Sequence, residues 1–343
     1  MAHELTIAAG GIAEMAFVGQ TPWHGLGEQL VPGASIEDWR LAAGMNWEIL
    51  RAPVQYGIER KTPVENTYVG GNASAESDII IVPHLKTWAQ QEVLYRSDTE
   101  APLNVVSNQY SIVQPGQVLE FFRDLVAEHG FELETAGTLK GGKRFWALAR
   151  TGLDGDVVEG DTVRTYLLLV SSCDSGLATT AMFTSVRVVC NNTLQMSLTG
   201  DSAKRVSVRH NTEFNPNSVK LQLGLNADEV YGNFMSRMRI FSNKSLSGSL
   251  AEEIVETMFA NLGRKGDIRE SKGFSKVLDL FNATGKGSQI DGVAGTGWGL
   301  INAVTEYADF HVRARSQEFR LDSSWFGAGR AMKETILELM EEV

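Results

Sequence analysis

The most constraining feature of this sequence is a run of four β-rich segments in its middle third. Turn residues separate these segments, which are FELETAGTL (131–139), GGKRFWALAR (141–150), DTVRTYLLLVSS (161–172) and GLATTAMFTSVRVVC (176–190). Connections this short join antiparallel neighbours, because parallel strands need a crossover of about a dozen residues or more. The pattern predicts an antiparallel β-meander, which a further strand at 204–211 extends.

Helical patterns flank the predicted meander. Before it, Pro115 opens a stretch whose apolar residues recur every three or four positions, and Gly130 closes that stretch. After it, NNTLQMSL (191–198) suggests a short helix, and several helical periods follow. We therefore predict an α+β fold, in which a central antiparallel β-meander packs against helices and the C-terminal region is helical.

These patterns divide the chain into three parts. Residues 1–110 are predicted as an N-terminal irregular α+β region, with a capping box of Ser35 and Asp38 before its first helix. Its short strands are predicted at 47–59, 77–83, 92–96 and 102–107. Residues 111–215 hold the central helix plus the antiparallel sheet, and residues 216–343 form the helical C-terminal region.

Composition excludes several classes of protein. The 343 residues include 31 basic and 42 acidic side chains, for a net charge of −11, and only two cysteines, Cys173 and Cys190. Two cysteines cannot make a disulfide framework or a four-thiolate zinc site. No apolar run reaches the length of about 18 residues that a membrane span requires, and the first residues lack the pattern of a signal peptide. We expect a cytoplasmic protein with no membrane association.

The negative charge is unevenly distributed along the chain. Residues 1–110 carry a net charge of −7, residues 111–220 only −1, and residues 221–343 carry −3. Within the nearly neutral middle, one stretch contains four bases and no acid: Lys140, Lys143, Arg144 and Arg150. The net charge excludes a chain that coats nucleic acid through bulk charge, but it allows a localised positive surface.

The basic residues of the predicted strands are candidates for nucleic-acid binding. Alternation along the second strand puts Arg144, Trp146 and Arg150 on one face. The candidate set drawn from this pattern is Lys140, Lys143, Arg144, Trp146, Arg150, Arg164, Arg187, Lys204, Arg205 and Arg209. Cations that follow phosphates, beside aromatic rings that stack on bases, are typical of a single-strand binding groove. The alternative is that these charges are scattered around the sheet and neutralised by Glu132, Glu134, Asp154, Asp156 and Glu159.

No catalytic, cofactor or metal motif is found in the sequence. NATGKGS (282–288) lacks the first glycine and the Ser or Thr of a phosphate-binding loop, and the six histidines show no HxH or HExxH spacing. Cys173 lies beside Asp174, and a neighbouring carboxylate raises the pKa of a thiol. His24 in PWHGL is more simply interpreted as a structural residue of a loop than as a catalytic acid or base. We predict no catalytic residue, no metal and no cofactor, and the sequence does not point to an enzyme.

Five segments of the sequence resemble a known family. They are TPWHGLG (21–27), RTYLLLVSSCDSG (164–176), SVRVVCNNTL (185–194), VRHN (208–211) and GTGWGLINAVTEYAD (295–309). Through them the chain resembles the phage- and plasmid-related proteins known as domain of unknown function 932. The resemblance implies a setting in phages and mobile elements, without an established activity. The single-strand annealing proteins that phages encode have a β-meander packed on a helix, which is similar in outline to the fold predicted here.

The most specific of these segments also supplies a candidate phosphate site. Arg187 ends a predicted strand, and Asn191 and Asn192 can cap the helix predicted at 191–198. A helix N-terminus beside an arginine favours an anion, so these three residues join the candidates for nucleic-acid binding. Structural capping of the helix accounts for the two asparagines equally well.

The leading functional hypothesis is DNA metabolism of a phage or mobile element. In it, a homo-oligomer without a cofactor binds single-stranded DNA and promotes strand annealing in recombination. The first alternative is an interaction protein that inhibits a host defence or replication factor. The second alternative is an unrecognised hydrolase that uses His24 or Cys173, which would require both side chains to line one pocket.

Overall fold

The structure of the protein is a computed structural model that describes residues 6–7, 11–19, 26–63, 79–187, 192–195, 205–224, 227–313, 323–325 and 327–343. The fold is α+β, as predicted, with antiparallel sheets and C-terminal helices. The strands are β1 (Met15–Val18), β2 (Glu28–Leu30), β3 (Ile49–Pro63), β4 (Ile79–Arg96), β5 (Pro102–Ser107), β6 (Glu132–Leu139), β7 (Arg144–Asp156), β8 (Thr162–Ser172), β9 (Thr179–Arg187), β10 (Asn192–Gln195) and β11 (Arg205–Val208). The helices are α1 (Ile36–Ala42), α2 (Pro115–Glu120), α3 (Arg123–His129), α4 (Pro216–Leu223), α5 (Ala227–Ser242), α6 (Gly248–Asn261), α7 (Lys272–Asp279), α8 (Gly297–Glu306) and α9 (Ala328–Glu342).

The predicted β-meander forms the centre of a large sheet. The strand order is β10-β9-β8-β7-β6-β1-β2, and every pairing is antiparallel except that of β1 with β2. The short strand β11 pairs with residues 179–182 of β9, next to the residues that pair with β10. Pairing of Arg144 with Ser172 brings the start of β7 beside the turn between β8 and β9.

Residues 192–195 are a strand, so the helix predicted at 191–198 is wrong there. Asn192 pairs with Arg187 and Gln195 with Thr184, so the chain turns back along the edge of β9. An uncovered edge leaves backbone donors and acceptors unpaired. Strand β10 pairs with these groups along part of the edge of β9. Because Asn192 lies within a strand, it does not form the helix N-terminus that we expected to bind phosphate. Asn191 lies outside the described residues.

The helix predicted at 115–130 is interrupted in its middle. Pro115 begins α2 and Gly130 ends α3, as predicted, but Phe121 and Phe122 separate two short helices. Both rings are completely buried and pack edge to face, with their centroids 5.1 Å apart. The helix breaks where both neighbouring rings pack into the core. The apolar residues continue to recur every three or four positions across the break, so the sequence pattern gives no sign of it.

A continuous apolar core joins one face of the large sheet to the helices. It includes residues of α2 and α3 and of the C-terminal helices, among which α8 is buried along its whole length. The Nε1 of Trp298 in α8 donates a hydrogen bond to Asp161 Oδ2 at 2.7 Å, which ties this helix to the start of β8. None of the described helices combines the length and the apolar character needed to cross a membrane. The division of the chain into three parts stays a prediction.

The other face of the large sheet carries a second, smaller apolar cluster. Its buried side chains include Trp146 on β7 and Tyr166 on β8, and Trp325 packs edge to face on Trp146 with a centroid distance of 6.1 Å. Pairing of Arg144 with Ser172 and of Arg205 with Met182 places both arginines on this face. The alternation predicted for Arg144, Trp146 and Arg150 is therefore confirmed.

The N-terminal region contributes a separate sheet of three strands, in the order β3-β4-β5. Residues 79–83 of the segment predicted at 77–83 belong to the same strand as the segment predicted at 92–96. This strand, β4, has 18 residues and pairs with the 15 residues of β3. Strand β5 pairs only with residues 91–95, at the base of β4. Beyond that base, residues 54–63 and 79–88 form a two-stranded hairpin that we call the arm.

A buried ion pair holds the base of the arm to the large sheet. Arg96, the last residue of β4, binds both carboxylate oxygens of Glu14, at 2.7 and 3.0 Å. The guanidinium also lies over the Trp47 ring, 4.2 Å from its centroid, and Glu14 accepts a hydrogen bond from the Thr138 hydroxyl. These contacts connect the small sheet to β6 through the residue that precedes β1.

Candidate functional site

A cavity of about 340 Å³ opens at the end of the large sheet where β8 turns into β9. Three segments form it: the end of β5 with the loop after it, the β8–β9 turn, and the loop after β11. We call it the turn pocket, and its lining residues are Ser107, Gln109, Tyr110, Ser175, Leu177, Ala178, Arg209, His210 and Asn211. Two of the segments that resemble the known family, 164–176 and 208–211, contribute to this lining.

A stacked aromatic pair lies at the centre of the lining. The rings of Tyr110 and His210 are nearly parallel, with a centroid distance of 4.7 Å and an interplanar angle of 13°. Tyr110 Oη donates to Ser172 O at 2.9 Å, and burial raises the pKa of this phenol, so it remains a donor. The His210 ring nitrogens lie 3.2 Å from Ser111 O and 3.1 Å from Leu177 O. The pair therefore fixes the three segments relative to one another.

Side chains also fix the β8–β9 turn behind the aromatic pair. Asn104 Nδ2 donates to Cys173 O at 2.9 Å, and Arg144 Nε donates to Asp174 Oδ2 at 3.0 Å. The backbone N–H of Cys173 donates to Lys143 O at 2.9 Å. These bonds place the start of β7, with two of the predicted basic residues, directly against the turn.

Arg209 supplies positive charge at the turn pocket. Its side chain is exposed, and it forms no ion pair with another residue in the part of the chain that the structure describes. The exposed amides of Gln109 and Asn211 lie on the same lining. A cation, an aromatic pair and two amides thus converge on one open cavity.

Arg205 lies along β11 from Arg209, close to a second arginine. Burial and the charge of Arg330 in α9 lower the pKa of Arg205, and Arg330 forms an ion pair with Glu334 at 2.6 Å. The Nε of Arg205 donates to Ser207 Oγ at 3.3 Å. The like charge of Arg330 disfavours the charged form of Arg205, and the Glu334 carboxylate offsets part of this repulsion.

Two further predicted residues lie at the opposite end of the same sheet face. Arg150 donates hydrogen bonds to Asp154, and Arg164 Nε lies 3.7 Å from Asp154 Oδ2. Tyr166 Oη donates to Glu134 Oε1 at 2.9 Å, and burial raises the pKa of this carboxyl. At roughly 3.3 Å per residue along β7, this cluster lies about 20 Å from Arg144.

The structure brings some of the twelve predicted residues together and separates others. Lys140, Lys143, Arg144 and Arg209 lie at the turn-pocket end, Arg150 and Arg164 at the other end, and Arg205 between them. Trp146 is only 1% exposed, so its ring packs in the second apolar cluster and is not available to stack on a base. Arg187 and Asn192 are described only through their strand pairing, and Asn191 and Lys204 lie outside the described residues.

The geometry does not support a nucleophilic role for Cys173. Its side chain is 1% exposed, and burial together with Asp174 raises the pKa of the thiol to about 12. His24 lies outside the described residues. The hydrolase hypothesis requires Cys173 to line a pocket, whereas its side chain is buried in the main apolar core. Within the described ranges, no three His, Cys, Asp or Glu side chains are placed to hold a metal ion.

The sequence interpretation missed the two aromatic residues of the turn pocket. Tyr110 lies before the helix that begins at Pro115, and His210 lies almost one hundred residues further along the chain. Only the family-like segment VRHN drew attention to His210, and nothing drew attention to Tyr110. Long-range pairing of two loops leaves no local pattern that periodicity or spacing can detect.

Comparison with known proteins identifies the family of the chain. No curated protein and no solved structure matches it. The model of a family described as Domain of unknown function (DUF932) matches residues 102–325, which is more than half of the chain. The match includes every residue of the turn pocket and none of the arm. This chain belongs to the DUF932 family.

Proposed function

We propose that this protein binds single-stranded DNA and that the turn pocket receives one nucleotide. The observation that carries the proposal is the convergence of exposed Arg209 and the stacked Tyr110–His210 pair on one open cavity. Arginine forms strong, charge-assisted hydrogen bonds with phosphate. Aromatic side chains contribute about 1–3 kcal/mol for each base that packs on them. A nucleotide supplies both binding partners at once.

The size and polarity of the turn pocket suit a single nucleotide. Its volume of about 340 Å³ lies at the lower end of the range of roughly 300–1,000 Å³ typical of small-molecule sites. The amides of Gln109 and Asn211 each offer a donor and an acceptor to the edge of a base. Because an amide can both donate to and accept from the edge of a base, these groups do not select one base over another.

Positive charge continues from the turn pocket along β11. Arg205 lies four residues before Arg209, a distance of roughly 13 Å along a strand. A phosphate at that position would add to the carboxylate of Glu334 in offsetting the repulsion between Arg205 and Arg330. We infer a DNA path from the turn pocket over β11 towards α9, on a protein whose overall charge is negative. A localised path of this kind is compatible with a net charge of −11.

The biological setting that we propose is DNA metabolism of a phage or mobile element in the cytoplasm of a bacterial host. The resemblance to phage- and plasmid-related proteins supports this setting. In this setting, we propose that the protein promotes strand annealing during recombination. Neutralising phosphates lowers the repulsion between two single strands, which favours their pairing.

Binding of a fluorescein-labelled oligothymidylate, followed by anisotropy across salt concentrations, tests the proposal. We expect Arg209→Ala to weaken binding and to reduce the slope of log K against log salt by about 0.7, the value for one phosphate contact on a single strand. We expect Tyr110→Ala to weaken binding by roughly 5- to 150-fold with the slope unchanged. Arg269→Ala is the matched control, because it removes the same charge from an exposed arginine in another part of the chain.

Two results reject the proposal. One is the absence of binding by the wild-type protein at low salt, and the other is an equal effect of Arg209→Ala and Arg269→Ala. Tyr110→Phe removes only the hydrogen bond to Ser172 O and keeps the ring on His210. If Tyr110→Phe binds as weakly as Tyr110→Ala, the role of the ring in base contact is rejected.

A further inference from the structure

The arm exposes an apolar stripe. Val54 pairs directly with Trp88, and Tyr56 and Ile58 follow at alternate positions of β3, so the four side chains share one face. Trp88 is 50% exposed, Tyr56 48% and Ile58 36%. Large apolar residues that are exposed singly are common, but a stripe of them on one element marks an interaction surface.

The arm also lacks support from the rest of the described chain. Beyond its base, β3 and β4 pair only with each other, and residues 84–90 of β4 are all exposed. A two-stranded hairpin alone is at best marginally stable in water, and its outer edges carry unpaired backbone groups. Contact with an additional apolar surface therefore stabilises the arm.

Charge favours a second copy of this chain as the partner. Residues 49–96 contain five basic and five acidic side chains, so this hairpin is neutral and the rest of the chain carries the whole net charge of −11. Two bodies with that charge repel each other, whereas the neutral segment of residues 49–96 approaches a second body without this repulsion. On the arm itself, Arg60, Lys61 and Lys86 outnumber the single acid Glu59.

The body of the protein has an apolar groove that fits the stripe. The groove has a volume of about 480 Å³ and lies between α1, α3 and the start of β6. Its apolar lining includes Val18, Ile36, Val126, Phe131 and Leu133. The lining also contains Glu37, which forms an ion pair with Arg123 at 2.6 Å, and the exposed acid Glu132. Apolar side chains of the arm match the apolar lining, and Lys86 of the arm matches Glu132.

We propose that the arm of one copy docks the stripe of Val54, Tyr56, Ile58 and Trp88 into this groove of a second copy. The contact joins two different surfaces, so it links copies head to tail and either closes a ring or extends a chain. The arm lies outside the part of the chain that matches the family, whereas α3 and the start of β6, on one side of the groove, lie within it. It does not depend on DNA binding.

Sedimentation velocity without DNA, at a concentration where the wild-type protein is assembled, tests the contact. We expect Trp88→Lys in the arm and Val126→Lys in the groove each to give monomers. Ile240→Lys is the control, because Ile240 is 65% exposed on α5 and belongs to neither the arm nor the lining of the groove, and its variant remains assembled. Far-ultraviolet circular dichroism confirms that each variant is folded. A monomeric wild-type protein at every concentration overturns the proposal.

Mixing the two monomeric variants distinguishes this contact from others. Trp88→Lys keeps an intact groove and Val126→Lys keeps an intact arm, so an equimolar mixture forms a dimer and nothing larger. An arm-to-arm contact leaves Val126→Lys assembled by itself, and a groove-to-groove contact leaves Trp88→Lys assembled. Either of those results, or a mixture that stays monomeric, overturns the proposal.

Discussion

The buried pair of Arg96 and Glu14 offers a quantitative test of how the arm and the large sheet are joined. Their side chains are 4% and 6% exposed, and the guanidinium binds both carboxylate oxygens. Arg96→Met keeps most of the apolar volume but leaves a buried carboxylate with Thr138 as its remaining side-chain partner among the described residues. Breaking a buried pair in this way costs about 3–5 kcal/mol.

That cost converts into a shift that calorimetry resolves. An unfolding entropy of about 2.1 cal/mol/K for each of 343 residues gives about 1.4 °C for each kcal/mol, so the melting temperature of Arg96→Met falls by roughly 4–7 °C. Arg96 also contacts a second carboxylate, that of Asp98, at 2.7 Å. Arg269→Met is the matched control, because Arg269 likewise contacts two carboxylates, those of Glu252 and Glu256, but is 50% exposed. Exposed pairs contribute about 0–1 kcal/mol, so its melting temperature falls by less than about 2 °C. Equal shifts in the two variants would show that burial adds nothing to the contribution of the Arg96–Glu14 pair.

Two further predictions concern single positions in the large sheet. Burial raises the pKa of Glu134 above its usual 4.5, so the folded state holds this proton more tightly and the ionised carboxyl destabilises the fold at neutral pH. Glu134→Gln therefore raises the melting temperature at pH 7, and the gain shrinks as the pH falls towards 4.5 and below; a gain independent of pH contradicts this. Gly142 and Gly152 both have a positive φ, of 90° and 81°, but an added Cβ lies 2.7 Å from Trp47 Cζ2 only at Gly142. Gly142→Ala therefore melts at a lower temperature than Gly152→Ala, and equal melting temperatures contradict the close packing.

The sequence predicted elements whose signals are local. The capping box of Ser35 and Asp38 is present, with Ser35 Oγ accepting from the backbone N–H of Asp38 at 3.1 Å. Turn residues between the β-rich segments correctly predicted the antiparallel order of β6 to β9. These signals suffice because hairpin connections and helix caps depend on residues that lie close together in the chain.

Elements that depend on distant partners were not predictable in the same way. The pattern at 191–198 resembles a helix, but the free edge of β9 converts residues 192–195 into a strand. Residues 84–90 of β4 are exposed, so they do not show the alternation of apolar and polar residues that identifies a half-buried strand. The full length of β4 was therefore not predicted. In both cases the deciding interaction lies outside the segment itself.

The same distinction applies to the candidate site. Strand alternation correctly placed Arg144, Trp146 and Arg150 on one face, but it could not show that Trp325, from the C-terminal part of the chain, covers Trp146. The stacking of Tyr110 on His210 joins loops from two different sheets. Residue types on a strand are therefore predictable, whereas their burial depends on the packing of the whole chain.

A DNA site at the turn pocket is tested by the salt dependence of single-stranded DNA binding, measured with and without Arg209. We expect the wild-type protein to bind at low salt. We expect Arg209→Ala to bind more weakly, with a slope of log K against log salt that is smaller by about 0.7. Parallel lines for the two proteins, or no binding by the wild-type protein at low salt, would contradict a DNA site at the turn pocket.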